Sequence, residues 1–336
     1  MPDPRGLSGP PDPFYDTFVL PLAGRAVVAA IGLGIFDSLA AEPARADELA
    51  ERLGLDPVGV AALCEALVSL AYLRLERDRL HVADGVAPLV TRGSESSIAT
   101  FAGDFARSHW RSLDSLEGAL RGEPSAWHDR PPDDELWEPY IRGLYELSRE
   151  EHDGNAALVG AVEPRTMLDL AGGHGAFAMA MCRRHPGLGA TVVDLPAAAR
   201  VGRAIVEDQG FADRVSFLEG DLFELDLGTG ADVVSAFNLL HHLPPERALD
   251  LMRRARHALA SGGLLVIGDT ERPPPGEPMS QVGALTGLAF FAESRARTYA
   301  LPEIEGWLRD AGFATIRTHR NDRSPWRVVI VAAAPE

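Results

Sequence analysis

A run of glycines flanked by acids carries the first chemical signal in the chain. Thr166-Met-Leu-Asp-Leu-Ala-Gly-Gly-His-Gly-Ala-Phe-Ala-Met-Ala180 sets Asp169, Gly172, Gly173 and Gly175 between an apolar run and a helical one. Glycine lets the backbone turn sharply and lets a ligand lie against it with no Cβ in the way. Residues 167–170 read as a buried strand and 176–184 as a helix, the first βα unit of a nucleotide-binding α/β fold. Gly173-x-Gly175-x-x-Ala178 also satisfies the dinucleotide pattern, so the turn alone leaves the nucleotide open. Asp194 ends a second apolar run, 19 residues past Gly175, where a carboxylate accepts hydrogen bonds from ribose hydroxyls. Asp221 and Leu222 follow a third run. Asn238-Leu-Leu-His-His-Leu-Pro-Pro-Glu246 follows a fourth, placing His241 and His242 just past a strand. Imidazole exchanges protons near neutral pH.

These residues need a frame, and the alternation around them supplies one. Runs at 167–170, 190–196, 231–237 and 263–268 are each followed by a helical pattern, and a run at 215–218 by Glu219-Gly-Asp-Leu-Phe223; alternating βα units require a parallel sheet. The end of the chain differs. After a helix at 302–311 come strands at 313–319 and 326–333, joined by a turn at 320–325 too short for a parallel crossover. Upstream, residues 14–39 form a largely uncharged helical pattern, interrupted near Pro21 and by Gly32 and Gly34, which must be buried in its own domain or a partner subunit. Helices at 45–53 and 56–71 and a hairpin at 72–82 make a winged-helix arrangement. Its second helix has no arginine, and Glu65 is its only charged interior residue, so a structural or dimerisation role is expected rather than DNA reading. Residues 98–160 read as helices around a loop at 122–134, with Trp110, Trp127, Trp137, Tyr140 and Tyr145 as core or substrate-pocket aromatics. The expected division is a disordered tail (1–13), a winged-helix dimerisation domain (14–97), a helical acceptor-pocket segment (98–163) and a catalytic domain (164–336).

Composition narrows the partners. The 336 residues carry a formal net charge of −17, which disfavours nucleic acid and anionic membrane surfaces. All 32 basic residues are arginine, so no lysine takes part in catalysis. Cys64 and Cys182 sit at apolar helical positions, as reduced core thiols of a cytoplasmic protein do. No signal peptide is evident, and no run reaches the roughly 20 apolar residues of a transmembrane helix.

In this order and spacing the motifs resemble the small-molecule O-methyltransferases that depend on S-adenosylmethionine. That family includes plant caffeic acid O-methyltransferases and bacterial enzymes of polyketide and antibiotic pathways. The resemblance covers nearly the whole chain. It implies a Rossmann-like seven-stranded domain with an antiparallel terminal hairpin, and a homodimer formed through the helical N-terminal domain. It assigns Gly172, Gly173 and Gly175 to the methionyl part of the cofactor, Asp194 to the ribose, and Asp221 and Leu222 to the adenine, with Asp169 and Leu195 also in the cofactor site. Phe237 and Asn238 join the cofactor site. Tyr140-Ile-Arg-Gly-Leu144 falls where the family has Phe-Asn-x-x-Met, and Ser148, one turn on, is assigned to the methionyl carboxylate.

The resemblance also assigns the chemistry. His241 takes the place of the family's general base, with His242 and Leu243 where the family often has Asp and Trp. A phenol, with a pKa near ~10, is protonated at neutral pH, and an imidazole with a pKa near ~6.5 can remove that proton. Asp269 occupies the position of the supporting carboxylate. Two departures stand out: Phe237 replaces a lysine near the adenine, and a second acid of the plant enzymes corresponds to Thr298. The apolar helix at 279–292 would wall the acceptor pocket. No metal is expected, because neighbouring His241 and His242 do not point at one ion. Rival readings keep the fold for C- or N-methylation, metal-assisted chemistry or a non-methylating relative. More remote rivals are a winged-helix ligand-sensing regulator and a nicotinamide dehydrogenase.

Overall fold

The computed structural model describes residues 11–123, 131, 133–160, 163–274, 276–321 and 324–336. Residues 1–10 of the expected tail, Trp127 and most of the 122–134 loop lie outside the described residues. The chain divides into two compact units, residues 1–109 and 110–336, with the boundary inside α6 (Ala106–Leu113).

In the first unit a wide turn, Tyr15–Val19, runs straight into α1 (Leu20–Gly32). The break expected near Pro21 is absent. Pro21 lies at the start of α1 directly after the wide turn, and the helical backbone continues through it. After α2 (Ile35–Ala41) come α3 (Ala46–Leu53) and α4 (Pro57–Ser69). Asp56 starts α4 by accepting the Gly59 N–H at 2.7 Å. The antiparallel hairpin β1 (Leu73–Glu76) and β2 (Arg79–Val82) and the short α5 (Ala87–Val90) follow. Ile31, Ile35, Phe36, Leu49, Leu67 and Leu73 fill the core of this unit. Phe14, Phe18, Leu22 and Leu33 remain outside it, 46–65% exposed.

The second unit is a sheet in the order β5-β4-β3-β6-β7-β10-β9. β3 (Thr166–Leu170), β4 (Gly189–Asp194), β5 (Val215–Glu219), β6 (Ala231–Phe237) and β7 (Leu259–Arg272) are parallel. β10 (Ser324–Ala333) is antiparallel to both β7 and β9 (Thr315–Asn321), as the short turn requires. The two-residue β8 (Tyr299–Ala300) pairs with the end of β7. β7 runs past Gly268, where the sequence expects it to stop, because β10 pairs with it through Arg327 and Thr270. Alternate residues face opposite ways. Val233, Val266 and Val329 join α8 (Trp137–Ala157), α9 (Ala176–Arg184) and α10 (Pro196–Asp208) on one face. Val234, Ile267 and Ile330 join α11 (Pro245–Ala258) and α13 (Leu301–Asp310) on the other. The chain runs outward from β3 to β5 and then returns to the far side of β3 as β6. Open sheets bind ligands at the carboxyl ends of the strands at such a reversal. α12 (Gln281–Ser294) packs against the end of β7 and the turn that follows β6, and the short α7 (Leu116–Leu120) packs against α12.

Candidate active site

Both halves of the site grow from the reversal point: the glycine turn leaves β3, and the histidine pair leaves β6. In the turn, Ala171, Gly173 and Gly175 all have positive φ (52°, 46° and 69°). A Cβ at Gly172 would stand 2.5 Å from the Asp169 carboxyl group, so only glycine fits over that acid. Asp169 is buried and accepts the Ser235 hydroxyl proton at 2.5 Å. Asp194 ties the second strand to the same turn: one oxygen accepts the Gly173 N–H at 2.7 Å and the other the Leu195 N–H at 2.7 Å. Burial raises both acids from the ordinary carboxyl value of 3.8 to about 6, with the neighbouring Asp194 adding to the rise at Asp169. Gly220 N–H bonds to the Asp194 carbonyl at 2.9 Å, which brings the Asp221 loop alongside. Exposed Asp221 caps its own loop through the Phe223 N–H at 2.8 Å, and Leu222 beside it is buried.

α8 lies against this turn. His174 Nδ1 accepts the Ala176 N–H at 3.1 Å, so the ring proton sits on Nε2 and is donated to Ser148 Oγ at 3.3 Å. Ser148 in turn donates its single hydroxyl hydrogen to the Leu144 carbonyl at 2.8 Å. Burial lowers His174 to about 4, which keeps the ring neutral and this relay intact. His152 is also buried and held well below its ordinary value, chiefly by burial and then by His174. Its ring meets Phe237 edge-on at 4.8 Å. Phe237 packs there against Phe177 at 4.5 Å and lies across Gly268, where a Cβ would come within 2.2 Å of the ring. Tyr140 meets Trp137 edge-on at 6.1 Å.

Past β6, Asn238 adopts a left-handed conformation (φ 53°) while its N–H still pairs with the Gly268 carbonyl at 2.8 Å. Its side-chain oxygen accepts from Arg327 Nη2 at 2.9 Å, and Arg327 Nε lies 3.6 Å from Glu151. The single helical turn Leu240–His242 then presents His241. His241 Nδ1 and Asp269 Oδ1 are 2.6 Å apart. The same oxygen accepts the Thr270 N–H at 2.7 Å, and Asp269 Oδ2 accepts the Leu240 N–H at 2.9 Å. Surrounded by donors, Asp269 acts as acceptor to His241 as well, so the imidazole proton sits on Nδ1 and Nε2 carries the lone pair. Phe290 of α12 lies flat on this ring, 3.5 Å between centroids and 11° between planes. His241 is 2% exposed, with Phe290 of α12 covering its ring. His242 points elsewhere, bonding Ser294 through Nδ1. Among the described residues no three His, Cys, Asp or Glu side chains converge as metal ligands.

The glycine turn, Asp169 and Asp194 thus form one cluster, and His241 and Asp269 form another, both at the carboxyl edge of the sheet. Thr298, at the position of the plant enzymes' second acid, is buried. Sequence reading missed His174, His152, Arg327 and Gly202. A Cβ at Gly202 would lie 2.1 Å from the Gly173 carbonyl, so this glycine lets α10 touch the turn. A glycine inside a helix costs about 1 kcal/mol, and its presence in α10 was the available signal.

An O-methyltransferase domain model matches residues 124–314, and an O-methyltransferase dimerisation domain model matches residues 20–90. The chain belongs to the O-methyltransferase family. It is an S-adenosylmethionine-dependent methyltransferase. This methyltransferase is similar to 3-hydroxy-5-methyl-1-naphthoate 3-O-methyltransferase of Streptomyces sahachiroi, with 28% identity and 94% of each chain covered. It is similar also to the N,N-dimethyltransferase OxyT of Streptomyces rimosus, with 26% identity and 93% of each chain covered. Its fold matches that of human N-acetylserotonin methyltransferase solved with SAM, at a TM-score of 0.82 and 19% identity, covering 98% of this chain and 100% of that one. The expected fold class is the one observed: a parallel sheet with an antiparallel terminal hairpin and a helical N-terminal region.

Proposed function

We propose that the enzyme methylates a phenolic or enolic hydroxyl of an aromatic, polyketide-type intermediate, with His241 as general base. The carrying observation is the His241–Asp269 pair at 2.6 Å, set at the sheet reversal beside the glycine turn. Bound S-adenosylmethionine supplies an electrophilic sulfonium methyl with a neutral thioether as leaving group. The residues present suit it. Each Asp194 oxygen takes one backbone donor, leaving lone pairs for the two ribose hydroxyls, while Asp221 and Leu222 offer a polar and an apolar contact to the adenine. Gly172, Gly173 and Gly175 keep the turn clear of side chains, and His174 and Ser148 hold it to α8. The chain's work is then to align the acceptor oxygen and to receive its proton at His241 Nε2. Incubation with methyl-labelled donor and phenolic acceptors, followed by mass spectrometry, should show the label on oxygen; label on nitrogen or carbon alone overturns this reading.

N-methylation is the second reading, favoured by the similarity to OxyT. A neutral amine attacks with its own lone pair and needs no proton removed beforehand, so its transfer would depend little on His241.

The donor site carries a pH dependence. With Asp194 raised to about 6, the folded chain holds its proton where the unfolded chain has released it. That contribution to stability is present below the ordinary value of 3.8 and is lost as pH rises through about 6. Donor binding runs the other way, because ribose hydroxyls donate to the ionised carboxylate. Donor affinity should weaken by up to about tenfold per pH unit below this point, and Asp194→Asn should flatten the profile. A wild-type profile that is flat in calorimetry would remove Asp194 from the donor site.

The enzyme forms a homodimer through its first unit in this reading, supported by the dimerisation-domain match and the exposed Phe14, Phe18, Leu22 and Leu33. Sedimentation as a stable monomer would sink it. Among the described residues Tyr15–Gly32 is the one helix long and apolar enough to cross a membrane, and a subunit interface over it accounts for the same residues.

A further inference from the structure

The helix that covers His241 ends in an arginine with two buried N–H donors that have no acceptor among the described residues. Arg295 follows Ser294 as the closing residue of α12 and has a left-handed backbone (φ 58°). Its Nη2 donates to the Glu123 carbonyl, and its guanidinium stands over the Phe291 ring at 5.6 Å. Nε and Nη1 are buried, and neither has a hydrogen-bond acceptor among the described residues. An arginine cannot escape this by losing its proton. A buried charged donor without an acceptor is costly, and native sites that keep one supply its acceptor from a ligand or water. In a chain with net charge −17, a retained buried cation marks a local demand for an anion.

Its place in the fold says which anion. Phe290 stacks on the His241 ring, and Ser294 touches His242, so the inner face of α12 borders the proposed base. Arg295 closes the same helix, five residues beyond Phe290. The glycine turn and Asp194, which the methyl donor requires, belong instead to the loops after β3 and β4.

We propose that Arg295 is the acceptor's anion anchor, and that the enzyme takes aromatic hydroxy acids, with the carboxylate at Arg295 and the methylated hydroxyl at His241. This rests on the reading that the acceptor binds beside His241. The carboxylate receives the Nε and Nη1 donors, Phe291 covers the guanidinium, and the hydroxyl at the other end of the ring system reaches His241 once Phe290 has moved off it.

Calorimetry tests the anchor without turnover, with the enzyme saturated with S-adenosylhomocysteine. The probes are 6-hydroxy-2-naphthoate and 2-naphthol, which differ by the carboxylate alone. Wild type should bind the acid roughly ten- to a hundredfold more tightly than the naphthol, as charge-assisted hydrogen bonds provide. Arg295→Gln should abolish that preference while leaving 2-naphthol and S-adenosylhomocysteine affinities unchanged. Arg295→Lys should keep part of it, which separates lost charge from a damaged fold. Equal binding of the two probes, binding of neither, or a preference that survives in Arg295→Gln overturns the proposal. So does a loss of S-adenosylhomocysteine affinity in Arg295→Gln. Failure of the hydroxyl-methylation reading shows separately, as an acid that binds through Arg295 yet gains no methyl on oxygen.

Discussion

His241→Ala should lower the turnover of a phenolic acceptor by roughly 10²–10⁴-fold, the usual share of a general base, with donor affinity little changed. The geometry gives this number its meaning. Asp269 accepts the hydrogen bond that His241 donates from Nδ1 at 2.6 Å, so Nε2 is the basic nitrogen left for the acceptor. The donor contacts of Asp194 and the glycine turn are made by other loops, so a change at His241 leaves them in place. The loss should shrink towards high pH, where a phenol with a pKa near ~10 ionises unaided. Alanine also removes the surface on which Phe290 stacks, which frees α12. For that reason His241→Gln, which keeps bulk without a matched base, should lose nearly as much. The measurement is a pH–rate profile of both variants with one phenol and one aromatic amine. Near-normal turnover of the phenol would show that alignment alone suffices. A loss confined to the phenol would identify proton removal as the role of His241.

The elements that could be read from the sequence are those whose signal is local. Short apolar runs marked β3 to β6, and three glycines in four positions marked the turn after β3. The acid ending β4 followed from the same βα period, and Asp194 does sit against that turn. What escaped depends on contacts between distant segments. The His174–Ser148–Leu144 relay joins residues 26 apart at its widest step, and no local pattern reports it. Arg327 reaches Asn238 across 89 residues because β10 lies next to β7. That pairing also carries β7 beyond its apolar core to Arg272, since a strand continues while its neighbour supplies hydrogen bonds. Pro21 misled in a different way. The chain carries its helix through Pro21 by way of the wide turn Tyr15–Val19 before it, a local widening that the apolar pattern did not show. Nor did that pattern show which face of α12 would lie on the histidine. α12 is apolar on most sides, with Leu285 and Leu288 exposed while Phe290 meets His241.

Asp269→Asn should cost turnover about as much as losing the base, again on the order of 10²–10⁴-fold, although it changes one atom. Asp269 accepts from four donors: His241 Nδ1 and Thr270 N–H at Oδ1, and the Leu240 and His241 N–H groups at Oδ2. An amide has one accepting end. With its oxygen towards His241 and Thr270, the NH2 group faces the Leu240 N–H, donor against donor, and pushes the turn that carries His241. With its oxygen towards Leu240, the NH2 group meets His241 Nδ1 and Thr270 N–H. The histidine must then take the other tautomer, with the proton on Nε2, where it cannot accept one from the acceptor. Either orientation disables the base, and donor affinity should stay near the wild-type value. Because the two residues act as one unit, His241→Ala and Asp269→Asn together should lose little more than His241→Ala alone. Single-turnover rates of the two variants and the double variant decide it. If the double loss equals the product of the single losses, Asp269 does not work through His241, and its place would be as a direct contact to the acceptor.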